Sequence, residues 1–173
     1  MQLRQHPPRD GQKYSSFRDA DFATVQPMRA MLQNVPILAG LAEPAVAMLM
    51  ERAVESKAPA GDVIIREGEA GNRFFLVAQG GVRVCRSFGK AEEVELARLG
   101  ERDFFGEMCI LETLPRSATV QAVVDTTLYS LTSITFYHLY QSMPDQYSIL
   151  VLNIARDLSR RLRHLDDVFA ARH

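Results

Sequence analysis

The chemistry in this chain of 173 residues concentrates between Asp103 and Val120, where D-F-F-G-E-M-C-I-L-E-T-L-P-R-S-A-T-V interrupts a region that otherwise reads as strands. Gly106 permits a backbone conformation closed to other residues. A helical turn opening at Glu107 presents free N–H groups and a positive dipole end, both suited to an anion. Pro115 ends that turn. Arg116 then offers a planar fork of donors matched to two phosphate oxygens, with the Ser117 hydroxyl beside it. Glu107 would repel phosphate, so its carboxylate calls for a hydroxyl donor such as a ribose 2′-OH. Glycine-opened turn, carboxylate, and an Arg-Ser pair nine residues beyond the carboxylate together describe a pocket for one phosphate and one sugar, which is a nucleotide monophosphate.

The remaining reactive side chains carry less. Cys85 falls in a strand and reads as a small core hydrophobe, and a structural role is also expected of Cys109, although a helix start and a nearby Arg are conditions that lower a thiol pKa. Both are expected as reduced thiols. The four histidines leave the span between Glu51 and Ser130 empty, so the clustered ligands that a metal-dependent enzyme on a β-roll needs are missing from the sequence. No G-x-S-x-G elbow, Walker loop or paired-Cys motif occurs, and neither an enzyme nor a metal nor a cofactor is expected.

The elements that must position this segment follow from periodicity. Eight of the ten glycines lie between Gly61 and Gly106 and punctuate β-branched and aromatic runs. The predicted strands are Asp62 to Arg66, Arg73 to Ala78, Val82 to Arg86, Glu92 to Arg98, Ala118 to Val124 and Thr127 to Leu131. Short strands at near-regular spacing imply a closed roll or barrel. Before them, Met28, Met31, Leu32, Leu38, Leu41, Ala45, Met48 and Leu49 recur at helical steps divided by Pro36 and Pro44. After Ser133 the helical period returns through Phe136, Leu139 and Tyr140. A longer amphipathic helix then opens at Pro144 and carries Tyr147, Val151, Ile154, Leu158, Leu162, Leu165 and Phe169. Whether it packs on the roll or forms a two-stranded coiled coil with a second copy stays open at this level.

The predicted divisions are an N-terminal arm over 1–27, a helical segment over 28–55, a β-roll over 56–131 with the anion-binding segment at 104–120, and hinge and terminal helices over 132–173. The fold class expected is mainly β with flanking helices: an antiparallel, jelly-roll-like β-roll. Lys+Arg 20 against Asp+Glu 21 gives a net charge of -1 and no overall field for a polyanion. Apolar runs fall short of the roughly 20 residues that a membrane span requires, and a polar N-terminus without an apolar h-region makes the cytoplasm the expected compartment.

The segment resembles the phosphate-binding cassette of cyclic nucleotide-binding domains, whose pattern is F-G-E, a short apolar helix, then P-R-(S/A/T)-A-T-V. The resemblance extends to Ala60–Glu69 and Phe75–Val84 upstream and to Pro144-Asp145 and Ile154–Leu158 downstream, in the family's order, over roughly 30–170. It implies a cAMP or cGMP sensor with Glu107 on the ribose 2′-OH. Arg116 and Ser117 would hold the cyclic phosphate, together with backbone N–H groups of Met108, Cys109 and Ala118. Val84 and Leu96 would meet the purine, and the terminal helix would close as a lid with Arg161 and Leu162 nearest the base. Leu114-Pro115 would couple the phosphate to a hinge between Thr132 and Pro144. Cys109 stands where the family usually has Ala or Gly. Ser117, rather than threonine, resembles cAMP-preferring members. No recognition helix follows the long helix, so direct DNA binding is not expected. The partners implied are a cyclic nucleotide, an effector in trans or in a longer chain, and a possible homodimer through the terminal helix. A ligand-independent interaction module with a vestigial pocket, or a regulatory fragment of a larger channel, kinase or transcription factor, are the alternatives.

Overall fold

A computed structural model describes residues 35–111 and 114–170 of the chain. The predicted arm over 1–27 and the apolar positions Met28, Met31 and Leu32 lie outside the described residues. The chain runs from a 3-10 turn (Pro36–Leu38) through α1 (Glu43–Glu51), then β1 (Val54–Ala58), β2 (Val63–Ile65), β3 (Arg73–Gln79), β4 (Val82–Arg86) and β5 (Val94–Leu99). β6 (Phe104–Phe105), α2 (Met108–Leu111), β7 (Thr119–Ala122), β8 (Thr126–Thr132), α3 (Ser133–Ser142) and α4 (Pro144–Ala170) follow. The strands form two four-stranded antiparallel sheets, in the orders β1-β8-β3-β6 and β2-β7-β4-β5. This is the antiparallel roll expected from the strand spacing.

β3 shows why the layers stack as they do. Its run R-F-F-L-V-A-Q is apolar without alternation, because both of its faces are buried. Phe74 and Leu76 face the helices, packing with Ile37, Leu49, Phe136, Leu139, Leu150 and Ile154. Phe75 and Val77 face inward between the sheets, with Ile65, Val82, Phe105, Val120 and Leu128. β6 and β8 divide the same way: Phe104 and Tyr129 belong to the outer cluster, Phe105 and Leu128 to the inner one.

Two strands depart from the sequence reading. The segment read as helical to residue 55 is helical only to Glu51 among its described residues, and Val54–Ala58 is a strand paired with Thr126–Ser130 of β8. V-E-S-K-A has little pattern of its own, so a partner more than 60 residues distant decides its conformation. β6 is two residues long, too short for any period, and exists through its pairing of Phe104 and Phe105 with Leu76 and Phe75.

Two of the helices start at a proline. Pro44 occupies the first turn of α1, whose preceding residue Ala42 donates its N–H to Gln146 Oε1 at 2.6 Å. Pro144 opens α4, 27 residues and about 40 Å long. α3 fills the stretch between Thr132 and Pro144 that was read as a hinge. Among the described residues no helix is long and apolar enough to cross a membrane.

Candidate functional site

The cassette begins at the end of β6. Gly106 has φ +77°, and a Cβ there would stand 2.8 Å from the Arg73 carbonyl oxygen and 3.0 Å from Arg116 Nη1, so the position requires glycine for both conformation and space. This turn swings the chain inward and buries Glu107 to 8% exposure. The Glu107 carbonyl accepts the Ile110 N–H at 2.9 Å as α2 forms. A helix of four residues leaves its first N–H groups without carbonyl acceptors of its own.

Arg116 is fixed from both sides of its backbone. Its carbonyl accepts the Gly68 N–H at 2.8 Å, and its own N–H donates to the Glu69 carbonyl at 2.9 Å. The guanidinium donates from Nη2 to the Arg73 carbonyl at 2.7 Å and from Nη1 to the Gly106 carbonyl at 3.4 Å. Carbonyls orient the group without neutralising it. Ser117 lies at the exposed rim, its hydroxyl donating to Met108 Sδ at 3.5 Å. Thr119 Oγ1 accepts the Glu67 N–H at 3.0 Å, tying the loop between β2 and β3 to β7. The Ser87 N–H donates to Glu67 and, with Arg86 alongside, holds that carboxyl below its usual range against the opposing effect of burial.

The cassette groups border one cleft, open to solvent, of about 550 Å³ counted with the solvent at its mouth. Gly106, Glu107, Met108, Arg116, Ser117, Ala118, Val84 and Arg161, all picked from the sequence, border it together. Leu96 and Leu162 do not. Leu96 sits where β4 and β5 slip register, between the pairs Val84–Ala97 and Cys85–Glu95, and is 37% exposed. Leu162 is 60% exposed on α4. The Cys109 side chain lies outside what is described. Cys85 is buried, and burial pushes its thiol pKa up, as suits an inert core residue.

Arg161 closes one side of the cleft. Its Nη2 donates to the Phe104 carbonyl at 2.9 Å, its guanidinium lies 4.8 Å from the centre of the Phe104 ring, and Nε pairs with Asp157 at 2.6 Å. Asp157 was missed, although its i,i+4 spacing to Arg161 was there to be read. Gly71 and Ile65 also border the cleft unanticipated, because they read as strand punctuation and strand, and Phe105 borders it from within the anion-binding segment without having been singled out as a site residue. Among the described residues no group of His, Cys, Asp and Glu could hold a metal ion.

Comparison with known proteins matches residues 55–143 to the model of the cyclic nucleotide-binding domain. The chain belongs to that family. The family is a sensor domain that takes cAMP or cGMP as a ligand, not a catalytic one. A cyclic AMP receptor protein of Thermus thermophilus is 34% identical over 135 residues, 78% of this chain and 61% of its own length. A cyclic nucleotide-gated potassium channel of Mesorhizobium japonicum is 39% identical over 133 residues, 76% of this chain and 34% of the channel. The chain therefore spans less than two thirds of either relative. The crystal structure of a cyclic nucleotide-binding domain from Methylobacillus flagellatus superposes with a TM-score of 0.74 at 21% identity, covering 84% of this chain and 85% of the other, and shares the fold.

Proposed function

We propose that this protein is a cytoplasmic cyclic nucleotide sensor that favours cAMP over cGMP and regulates a partner by moving α3 and α4. One observation carries the reading: two unneutralised and opposite charges border the same cleft. Among the described residues, no side chain bonds or pairs with the Glu107 carboxylate, 8% exposed, and no carboxylate pairs with Arg116. The Glu107 carboxylate faces the cleft without a side-chain partner, so a ligand hydroxyl can donate to it there, while the Arg116 fork meets a phosphate in a geometry already set by two carbonyls. A cyclic nucleotide brings a 2′-OH and a singly charged phosphate on one rigid sugar. In this reading the N–H groups of Met108, Cys109 and Ala118 complete the anion site, and Val84 meets the base.

The cAMP preference is supported by Ser117 where cGMP-preferring members tend to carry threonine, and by the Thermus relative named for cyclic AMP. Helix movement is supported by Arg161, which joins α4 to the cleft wall. Shifting a two-state helix from 1:99 to 99:1 takes about 5.5 kcal/mol of differential affinity. The partner sits in trans or in a longer chain. Leu152 and Leu162, both exposed and ten residues apart on α4, fall on one heptad stripe and support a second copy as an additional partner.

Isothermal titration of the nucleotide-stripped protein with cAMP and then cGMP tests this. Saturable cAMP binding is expected, weakened about a hundredfold, or about 2.7 kcal/mol, by Arg116→Ala. A flat titration with both nucleotides overturns the sensor in favour of an interaction module, and tenfold tighter cGMP overturns the preference. Unchanged amide exchange over 132–170 at saturation removes the moving helices.

A further inference from the structure

Arg116 reaches its two carbonyls because something leaves it room. The loop of residues 66–72 pairs with its backbone on both sides, and the guanidinium then lies flat against Gly71 of that loop. A Cβ built on Gly71 would stand 2.6 Å from both Cζ and Nη2 of Arg116, and closer still to Nε. The backbone of Gly71 does not have the positive φ of Gly61, Gly68 and Gly89, whose added Cβ atoms would meet nothing within 4 Å. Those three glycines serve their own turns. Gly71 has no left-handed backbone that calls for glycine, so its bareness serves the neighbour. Gly71 and Arg116 also border a second cavity of about 600 Å³, lined by Ile64, Glu69, Asn72 and Phe75 among others. A guanidinium driven off its carbonyls therefore has space on either side to go astray.

We propose that Gly71 is a positioning residue for the ligand-binding Arg116: its missing side chain lets the guanidinium rest between the Arg73 and Gly106 carbonyls, aimed at the anion. This rests on the reading that Arg116 takes the phosphate of a cyclic nucleotide. The cost of a side chain at this position should depend on the planar fork it displaces, and an arginine-to-lysine exchange removes that fork while keeping a cation.

The test is a double-mutant cycle on the full chain. cAMP affinity and thermal midpoint are measured for the wild type, Gly71→Ala and Gly71→Val, each with Arg116 and with Arg116→Lys. Gly71→Ala should cost only about threefold in affinity, since the far end of a flexible side chain can slide, and Gly71→Val about tenfold or more. In the Arg116→Lys background the valine should cost less than about threefold. Should Gly71→Val melt too low to titrate, the same cycle is read in the thermal midpoint, where Arg116→Lys should recover most of the loss. Undiminished affinity of Gly71→Val, or an equal loss in both backgrounds by either readout, overturns the proposal. A wild type that binds neither cAMP nor cGMP overturns the sensor reading and this proposal together, whereas a binding wild type with an indifferent valine variant overturns Gly71 alone.

Discussion

The molecule has two apolar cores that share their strands and differ in what closes them. The outer core, between the β1-β8-β3-β6 sheet and the helices, is sealed by side chains such as Leu139 and Ile154, both fully buried. The inner core, between the sheets, ends in the cleft, where Ile65, Phe105 and Val120 are at once packing residues and wall. Phe104 and Phe105 are adjacent in sequence, yet one belongs to each core, the second stacked on Phe75 at 5.0 Å and 10°. The cleft wall and the helix-facing core thus meet across a single peptide unit. In the proposed reading the inner core holds the ligand site and the outer core carries the response.

Truncation in each core is the strongest way to break that division. Ile154→Ala in the outer core and Leu128→Ala in the inner one should each cost about 2–5 kcal/mol in urea unfolding, through lost burial and a residual cavity. They should part in their effect on cAMP affinity, which Leu128→Ala lowers more because its neighbours line the cleft. Equal effects on binding would merge the two cores into one. Next in size is Asn153, an 8% exposed polar residue on α4 whose amide donates to the Ile37 carbonyl at 3.1 Å and the Ala39 carbonyl at 2.8 Å. Asn153→Ala leaves two carbonyls without that donor and should cost about 1–3 kcal/mol, measured by the same unfolding curves. A loss below that range would mean that α4 holds the 3-10 turn through apolar contacts alone.

Tyr129 gives the outer core a pH limit. Burial, with Glu55 accepting its hydroxyl at 3.2 Å, pushes its pKa up to about 12, from about 10 in the unfolded chain. A raised phenol pKa means that the unfolded chain releases the proton first. The stability it carries is thus complete below pH 10 and lost as the pH rises from there through 12. Urea midpoints measured across that window should fall, and Tyr129→Phe should remove most of the slope. An unchanged slope in the variant would assign the alkaline loss to other groups.

How much of this was legible follows from range. The cassette is a local constellation, so Gly106, Glu107, Arg116 and Ser117 could be read from spacing and stand together around the cleft. Val84 and Arg161 also border it, while Leu96 does not, because a one-residue slip between β4 and β5 depends on the partner strand and leaves no local mark. β1 and β6 were missed for a related reason: their strand character comes from β8 and β3. Gly71 shows the limit most clearly, since nothing within its own loop says that an arginine from 45 positions later in the chain will lie against it.

The finest probe of the comparison is Arg161, which joins the distal half of α4 to β6. Its guanidinium has three partners, Asp157, the Phe104 carbonyl and the Phe104 ring, but its side chain is 28% exposed and its ion pair lies within one helix. Solvent screening at such a site holds the expected stability loss of Arg161→Ala to about 1 kcal/mol or less. The effect should show locally instead. Phe104 pairs with Leu76 in the sheet and packs in the outer core, so the clasp ties the distal half of α4 to the strand that leads into Gly106. Without it, amide exchange over 155–170 should accelerate while β3 and β8 stay protected. If β6 and the cassette turn loosen along with the helix, the division between ligand core and output core fails at this residue, and Arg161 belongs to both.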